Sequence, residues 1–141
     1  MGPQTVKAAM TARIERPLSP HLQSYRITLT MAMSIIHRLT GVALYFGTLL
    51  LAWWLIATAS GPGAYASVQA FTSSLIGRVI VFGYTWALLH HMLGGARHLI
   101  WDLGYGFGKV ERERLTLAAL VGSITLTIVL WIVAYAVGGG R

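Results

Sequence analysis

The chain contains no cysteine. That excludes iron–sulfur ligation by this polypeptide, a thiolate zinc site and thioether-attached haem. Charge is also scarce, at 11% of 141 residues, against about 25% in a soluble domain. The deficit is organised along the chain. No charged residue falls between Leu39 and Arg78, and none falls from Leu115 to Gly140. Carboxylates number four, against eleven lysines and arginines, and none lies inside an apolar run. An ion path built on buried acids is therefore disfavoured. The N-terminal residues are polar and carry Pro3, Pro17 and Pro20, so they do not read as a cleaved signal sequence.

What is present is long stretches of apolar sequence. About 20 residues at about 1.5 Å each cross the hydrocarbon core of a bilayer. The fold class expected is an all-α membrane protein, with three transmembrane helices and an extended N-terminal cytoplasmic arm. The arm covers residues 1–29. The run Arg16-Pro17-Leu18-Ser19-Pro20-His21-Leu22 cannot be regular helix, because each proline restricts the residue before it. It is either a loose tail or an arm docked on a soluble partner. The remainder, 30–141, forms the membrane domain, with helices at about 30–59, 74–101 and 115–137. Ser60-Gly61-Pro62-Gly63 stops the first helix, and residues 64–77 form a short uncharged connection with room for a helical turn. The alternating charges from Lys109 to Arg114 read as a solvated helix start rather than a binding patch.

Net charge is +7. The basic residues flank apolar runs, which fits topology and anionic lipid better than nucleic acid. Lys7, Arg13, Arg16 and Arg26 precede the first helix, and Lys109, Arg112 and Arg114 follow the second. The positive-inside rule then puts the N-terminus in the cytoplasm and the C-terminus in the periplasm of a bacterial inner membrane, a mitochondrial inner membrane being the other setting.

This topology brings two polar clusters to one depth. Ser34, His37 and Arg38 lie in the inner half of the first helix and share a face. His91, Arg97 and His98 lie in the inner half of the second. Ionisable groups at such positions are a functional-site hypothesis by default. His91 and His98 are seven residues apart, which stacks them on one face about 10 Å apart. Gly94 and Gly95 between them leave room for a flat cofactor or for close helix contact. A haem b fits: neutral imidazole is an ordinary axial ligand. Arg38, Arg97, His37 and His98 are the cations available to its propionates. Each of these residues also has a plainer reading. His91 can bond a neighbouring helix, Arg97 can snorkel to the surface, and Ser34 can simply line a helix contact. For His90, turned about 100° from His91, a bond to a neighbouring helix is the preferred reading.

Three segments resemble one known family. They are Arg16-Pro17-Leu18-Ser19-Pro20-His21-Leu22 with Tyr25-Arg26; Ser34-Ile35-Ile36-His37-Arg38-Leu39-Thr40-Gly41; and His91, Gly95, Arg97-His98, Trp101-Asp102 and Gly104-Tyr105. In order and spacing, over residues 16–137, they are similar to the cytochrome b556 membrane-anchor subunits of succinate dehydrogenase, respiratory complex II. The resemblance implies that His91 is an axial ligand of the iron of one haem b, the other axial histidine coming from a second membrane-anchor subunit. It implies that His37, Arg38 and His98 surround the haem propionates, and that Ser34 and Arg38 lie at a ubiquinone site. It places the arm against the iron–sulfur subunit, with a flavoprotein subunit beyond it. Electrons from succinate oxidation would then reach ubiquinone, linking the tricarboxylic acid cycle to respiratory electron transport. No catalytic carboxylate or nucleophile is visible, so the chain is expected to hold cofactors within an enzyme complex rather than to catalyse alone. A haem-free structural anchor is the competing expectation.

Overall fold

The computed structural model describes residues 26–138. The arm expected over residues 1–29 falls almost wholly outside them. Among the described residues four helices follow one another: α1 (Leu29–Ser60), α2 (Pro62–Ser73), α3 (Leu75–Asp102) and α4 (Lys109–Gly138). Three of them, α1, α3 and α4, are long and apolar enough to cross a membrane, at 32, 28 and 30 residues. At about 1.5 Å per residue each exceeds the roughly 30 Å hydrocarbon core, so their ends extend into the headgroup layers.

Local chemistry sets the boundaries. The Thr28 hydroxyl accepts from the Met31 amide and caps α1. Gly61 ends it with φ +109°, a conformation that favours glycine, and Pro62 opens α2 where its missing N–H costs nothing. The connection expected over residues 64–77 is thus mostly a helix, twelve residues long and too short to span. Ser74 makes the next corner. Its hydroxyl donates to Phe71 O at 2.6 Å and accepts from Gly77 N at 3.1 Å, capping α3. Gly104 and Gly106, both at positive φ, turn the chain after α3. α4 begins at Lys109 rather than near 115: the charged run is its first turn and a half, with Glu111 favourably placed at the positive end of the helix dipole.

α3 is the centre of the bundle and touches α1, α2 and α4. It runs antiparallel to both long neighbours, because Thr40 meets His91 where Gly47 meets Tyr84, and Arg97 meets Thr116 where Thr85 meets Trp131. The buried set consists mainly of small residues. α4 contributes Thr116, Ala119, Ser123 and Thr127, at helical spacing, and α3 contributes Gly77, Ala87 and Gly94 together with His90 and Arg97. The large aliphatic and aromatic side chains mostly face outward. This is what a bilayer dictates: lipid is as apolar as leucine, so helices associate through close backbone approach and internal hydrogen bonds. The α4 hydroxyls are self-satisfied. Thr116, Ser123 and Thr127 donate to Arg112 O, Leu120 O and Ser123 O respectively.

Candidate cofactor-binding site

His37 on α1 and His91 on α3 stack face to face, with ring centroids 4.1 Å apart and planes 8° from parallel. Each ring reaches across to the other's backbone. His37 Nε2 lies 3.2 Å from His91 O, and His91 Nδ1 lies 3.1 Å from His37 O. The exchange is possible because each helix presents a glycine to the opposing ring. A Cβ on Gly94 would strike the His37 ring, and one on Gly41 would come within 3.0 Å of His91 Cε1. Gly94 therefore serves the close helix contact, while Gly95 beside it faces open space.

Thr40 completes the arrangement. Buried at 3% exposure, it donates to His37 O at 2.8 Å and stands 3.3 Å from His91 Nδ1. Its proton is committed to the carbonyl, so toward His91 it can only accept. Both neighbours of His91 Nδ1 are then acceptors. In the neutral ring this places the proton on Nδ1 and leaves Nε2 with a lone pair. Histidines that bind metals are oriented in this way, by a carbonyl on the far nitrogen. The donor set thus fits an axial haem ligand. The three neighbouring rings, His37, His91 and His98, do not converge as ligands for a bare metal ion.

His98 is exposed and closes the cluster. Its ring lies 5.4 Å from that of His37 and edge-on to Trp101 at 5.2 Å. His37 thus sits between His91 and His98, as two antiparallel helices at one depth require. Ser34 and Arg38 flank His37 on α1, and both are exposed. The structure brings His37, His91 and His98 together and leaves Ser34 and Arg38 at the margin of the cluster.

Two residues leave this face. His90 is 3% exposed and turns to α4, its Nδ1 lying 3.1 Å from Ser123 Oγ. The Ser123 hydroxyl already donates to Leu120 O, so the imidazole is the donor. Trp86 stacks on the same ring. Arg97, which the sequence offered to the propionates or to the membrane surface, does neither. It is 5% exposed, donates from Nη1 to Thr116 Oγ1 at 3.0 Å, lies over the Trp101 ring, and leaves its buried Nε without a partner among the described residues. Six residues beyond His91, it is rotated well away from the α1 face. Thr40 was not singled out by sequence. Its signal is position: three residues after His37, a hydroxyl reaches back to that residue's carbonyl.

Comparison with known proteins gives this geometry its setting. Residues 12–133 match the model of the succinate dehydrogenase/fumarate reductase transmembrane subunit family. The chain is 42% identical over 123 residues to the succinate dehydrogenase cytochrome b556 subunit of Paracoccus denitrificans, covering 87% of this chain and 95% of that protein. It is 37% identical over 118 residues to the corresponding subunit of Rickettsia felis, covering 84% and 92%. It is also 36% identical over 120 residues to the mitochondrial succinate dehydrogenase cytochrome b560 subunit of Bos taurus, covering 82% and 69%. With its three long apolar helices, the chain belongs to the succinate dehydrogenase/fumarate reductase transmembrane subunit family and is a membrane anchor of complex II.

Proposed function

We propose that this anchor holds one haem b through His91 and borders a ubiquinone site through Ser34 and Arg38. The observation that carries the reading is the state of His91: its Nδ1 is held by the His37 carbonyl and by Thr40, and its Nε2 is free to ligate iron. The cytochrome names of the relatives point the same way. His98 and Arg38 would supply donors for the propionates, and His37, whose Nε2–H already bonds His91 O, would add one at Nδ1 as an imidazolium. His98 shares the His91 face, so a second imidazole for the haem would have to be supplied by the other anchor subunit. When bound, the haem supplies reversible one-electron storage.

This chain's own residues serve the quinone by hydrogen bonding and charge. Reduction adds two electrons and two protons, and negative charge develops on the carbonyl oxygens. A Ser34 hydroxyl can donate to one of them, and the Arg38 guanidinium supplies fixed positive charge in a medium of low dielectric. Both side chains are exposed in the isolated chain, open to a substrate or to the second anchor subunit. The N-terminal segment 1–29 forms the cytoplasmic arm that meets the iron–sulfur subunit, with the flavoprotein subunit beyond it. The N-terminus is cytoplasmic and the C-terminus periplasmic in a bacterial inner membrane.

The test is an optical difference spectrum of the assembled complex. Wild type is expected to show a reduced b-type α band, His91→Leu to lose it, and His90→Leu to keep it. A band that survives His91→Leu, or its absence from wild type, sinks the haem assignment. For the quinone, Arg38→Leu is expected to lower ubiquinone reduction at least tenfold while succinate oxidation with a soluble artificial acceptor stays near wild type. Equal loss in both assays would remove Arg38 from the quinone site.

A further inference from the structure

At the opposite end of the bundle from the histidine cluster, α2, α3 and α4 line an open cavity of about 380 Å³. Arg78 and Val81 line it from α3, Gln69 and Ser73 from α2, and Leu130 and Tyr135 from α4. Arg78 lies about 20 Å from His91 along the axis of α3, so this cavity is separate from the site described above.

The polarity of the walls is graded with depth. Gln69, Ser73, Arg78 and Tyr135 stand near the helix ends that meet the outer surface. Val81 on α3 and Leu130 on α4 lie further along both helices toward the bilayer centre. Deeper still, Thr85 donates to Val81 O and accepts from Trp131 Nε1, so the floor offers no free donor. A polar mouth over an apolar floor matches an amphiphile standing upright in the outer leaflet.

Arg78 decides the charge of its headgroup. It is the only lysine or arginine between Arg38 and Arg97, and it sits on the side where the positive-inside rule disfavours cations. It also lies in the first turn of α3, where the helix dipole adds positive potential and no acidic residue offsets it. None of the residues lining the cavity is a carboxylate. The Thr72 and Ser73 hydroxyls donate to their own helix, so the cation is left to Arg78, and a guanidinium beside a helix N-terminus selects a phosphodiester over a neutral ring.

We propose that this cavity binds one phospholipid of the outer leaflet, its phosphodiester on Arg78 and an acyl chain along Val81 and Leu130. The complex is purified in mild detergent without phosphate, washed exhaustively, and assayed for phospholipid phosphorus per copy. Arg78→Gln is expected to retain one phospholipid fewer than wild type, with Arg78→Lys in between. Ala134→Trp keeps the cation but fills the cavity, and is expected to lose the same lipid. It decides the matter if Arg78→Gln fails to assemble. A wash with millimolar inorganic phosphate is expected to leave the lipid in place. Equal phosphorus in wild type and Ala134→Trp overturns the proposal. So does displacement by inorganic phosphate, or loss of quinone in place of phospholipid from the filled variant.

Discussion

The two faces of α3 carry similar residues put to opposite uses. Toward α4, His90 and Arg97 are buried and tied to Ser123 and Thr116, in pairs internal to the chain. Toward α1, His91 is held through Nδ1 but only half-buried, and His98 lies exposed beside it. Adjacent histidines, both bonded through Nδ1, thus differ in access: His90 is enclosed by Ser123 and Trp86, and His91 is open at the surface. His90 fastens α3 to α4, and His91 is the one the proposed function makes a ligand. In a bilayer a polar group is stable only when partnered. An ionisable group that the fold leaves open at the surface is therefore the candidate for a partner from outside the chain.

The sharpest way to break this contrast is to part α1 from α3. Gly94→Val puts branched carbon into the His37 ring, where even one Cβ collides. Overpacking of this kind costs about 1–3 kcal/mol or more, and here it also pulls both imidazoles from their carbonyls. The expected result is loss of the b-type α band and a thermal midpoint clearly below wild type. Gly95→Ala is the control. Its Cβ meets nothing within 4 Å, and alanine favours the helix by about 1 kcal/mol over glycine. Spectrum and midpoint should be unchanged or slightly improved. If Gly94 and Gly95 respond alike, the reciprocal stacking is not what holds the site.

An intermediate effect is expected on the α4 face. Thr116→Val keeps the volume but removes the acceptor of the buried Arg97 Nη1, whose Nε already lacks a partner among the described residues. A lost partner for a buried charged donor costs about 1–3 kcal/mol. The thermal midpoint should fall while the haem band per folded complex stays at the wild-type level. Loss of haem in proportion would show that the two faces are coupled, and that Arg97 serves the cofactor side after all.

The three spans were legible from composition, because nothing but bilayer explains uncharged apolar runs of such length. The shared depth of the two clusters was legible too, since topology and helix rise fix it. Rotation about the helix axis was less so. Periodicity puts His91 and His98 on one face, but the sequence has no term for which neighbour that face meets. Arg97 was therefore offered to the propionates, although its guanidinium lies against Thr116 on α4. Nor do apolar runs reveal corners. The segment from Pro62 to Ser73 forms a helix because Gly61 can take a positive φ and Pro62 can start a turn, and hydropathy does not register either property. Thr40 was hidden for a further reason: its hydroxyl meets His91 Nδ1 only once α1 and α3 have packed together.

The smallest effect should come from Ser123→Ala, and it separates a fastener from a ligand most finely. Ser123 accepts from His90 and donates to its own helix, so its removal leaves one imidazole N–H without a partner at a contact that is otherwise intact. Interhelical hydrogen bonds in membranes average about 0.6 kcal/mol and reach about 1.7. The thermal midpoint should therefore drop by a few degrees at most. His90→Leu combined with Ser123→Ala should cost less than the sum of the single changes, since removing both partners leaves nothing unsatisfied. Adding Thr40→Val to His91→Leu should leave haem content where His91→Leu alone leaves it, because on the proposed reading Thr40 acts only by orienting His91. If His90 and Ser123 instead proved additive, the contact between them would contribute nothing, and the imidazole would have to find its purpose outside this chain.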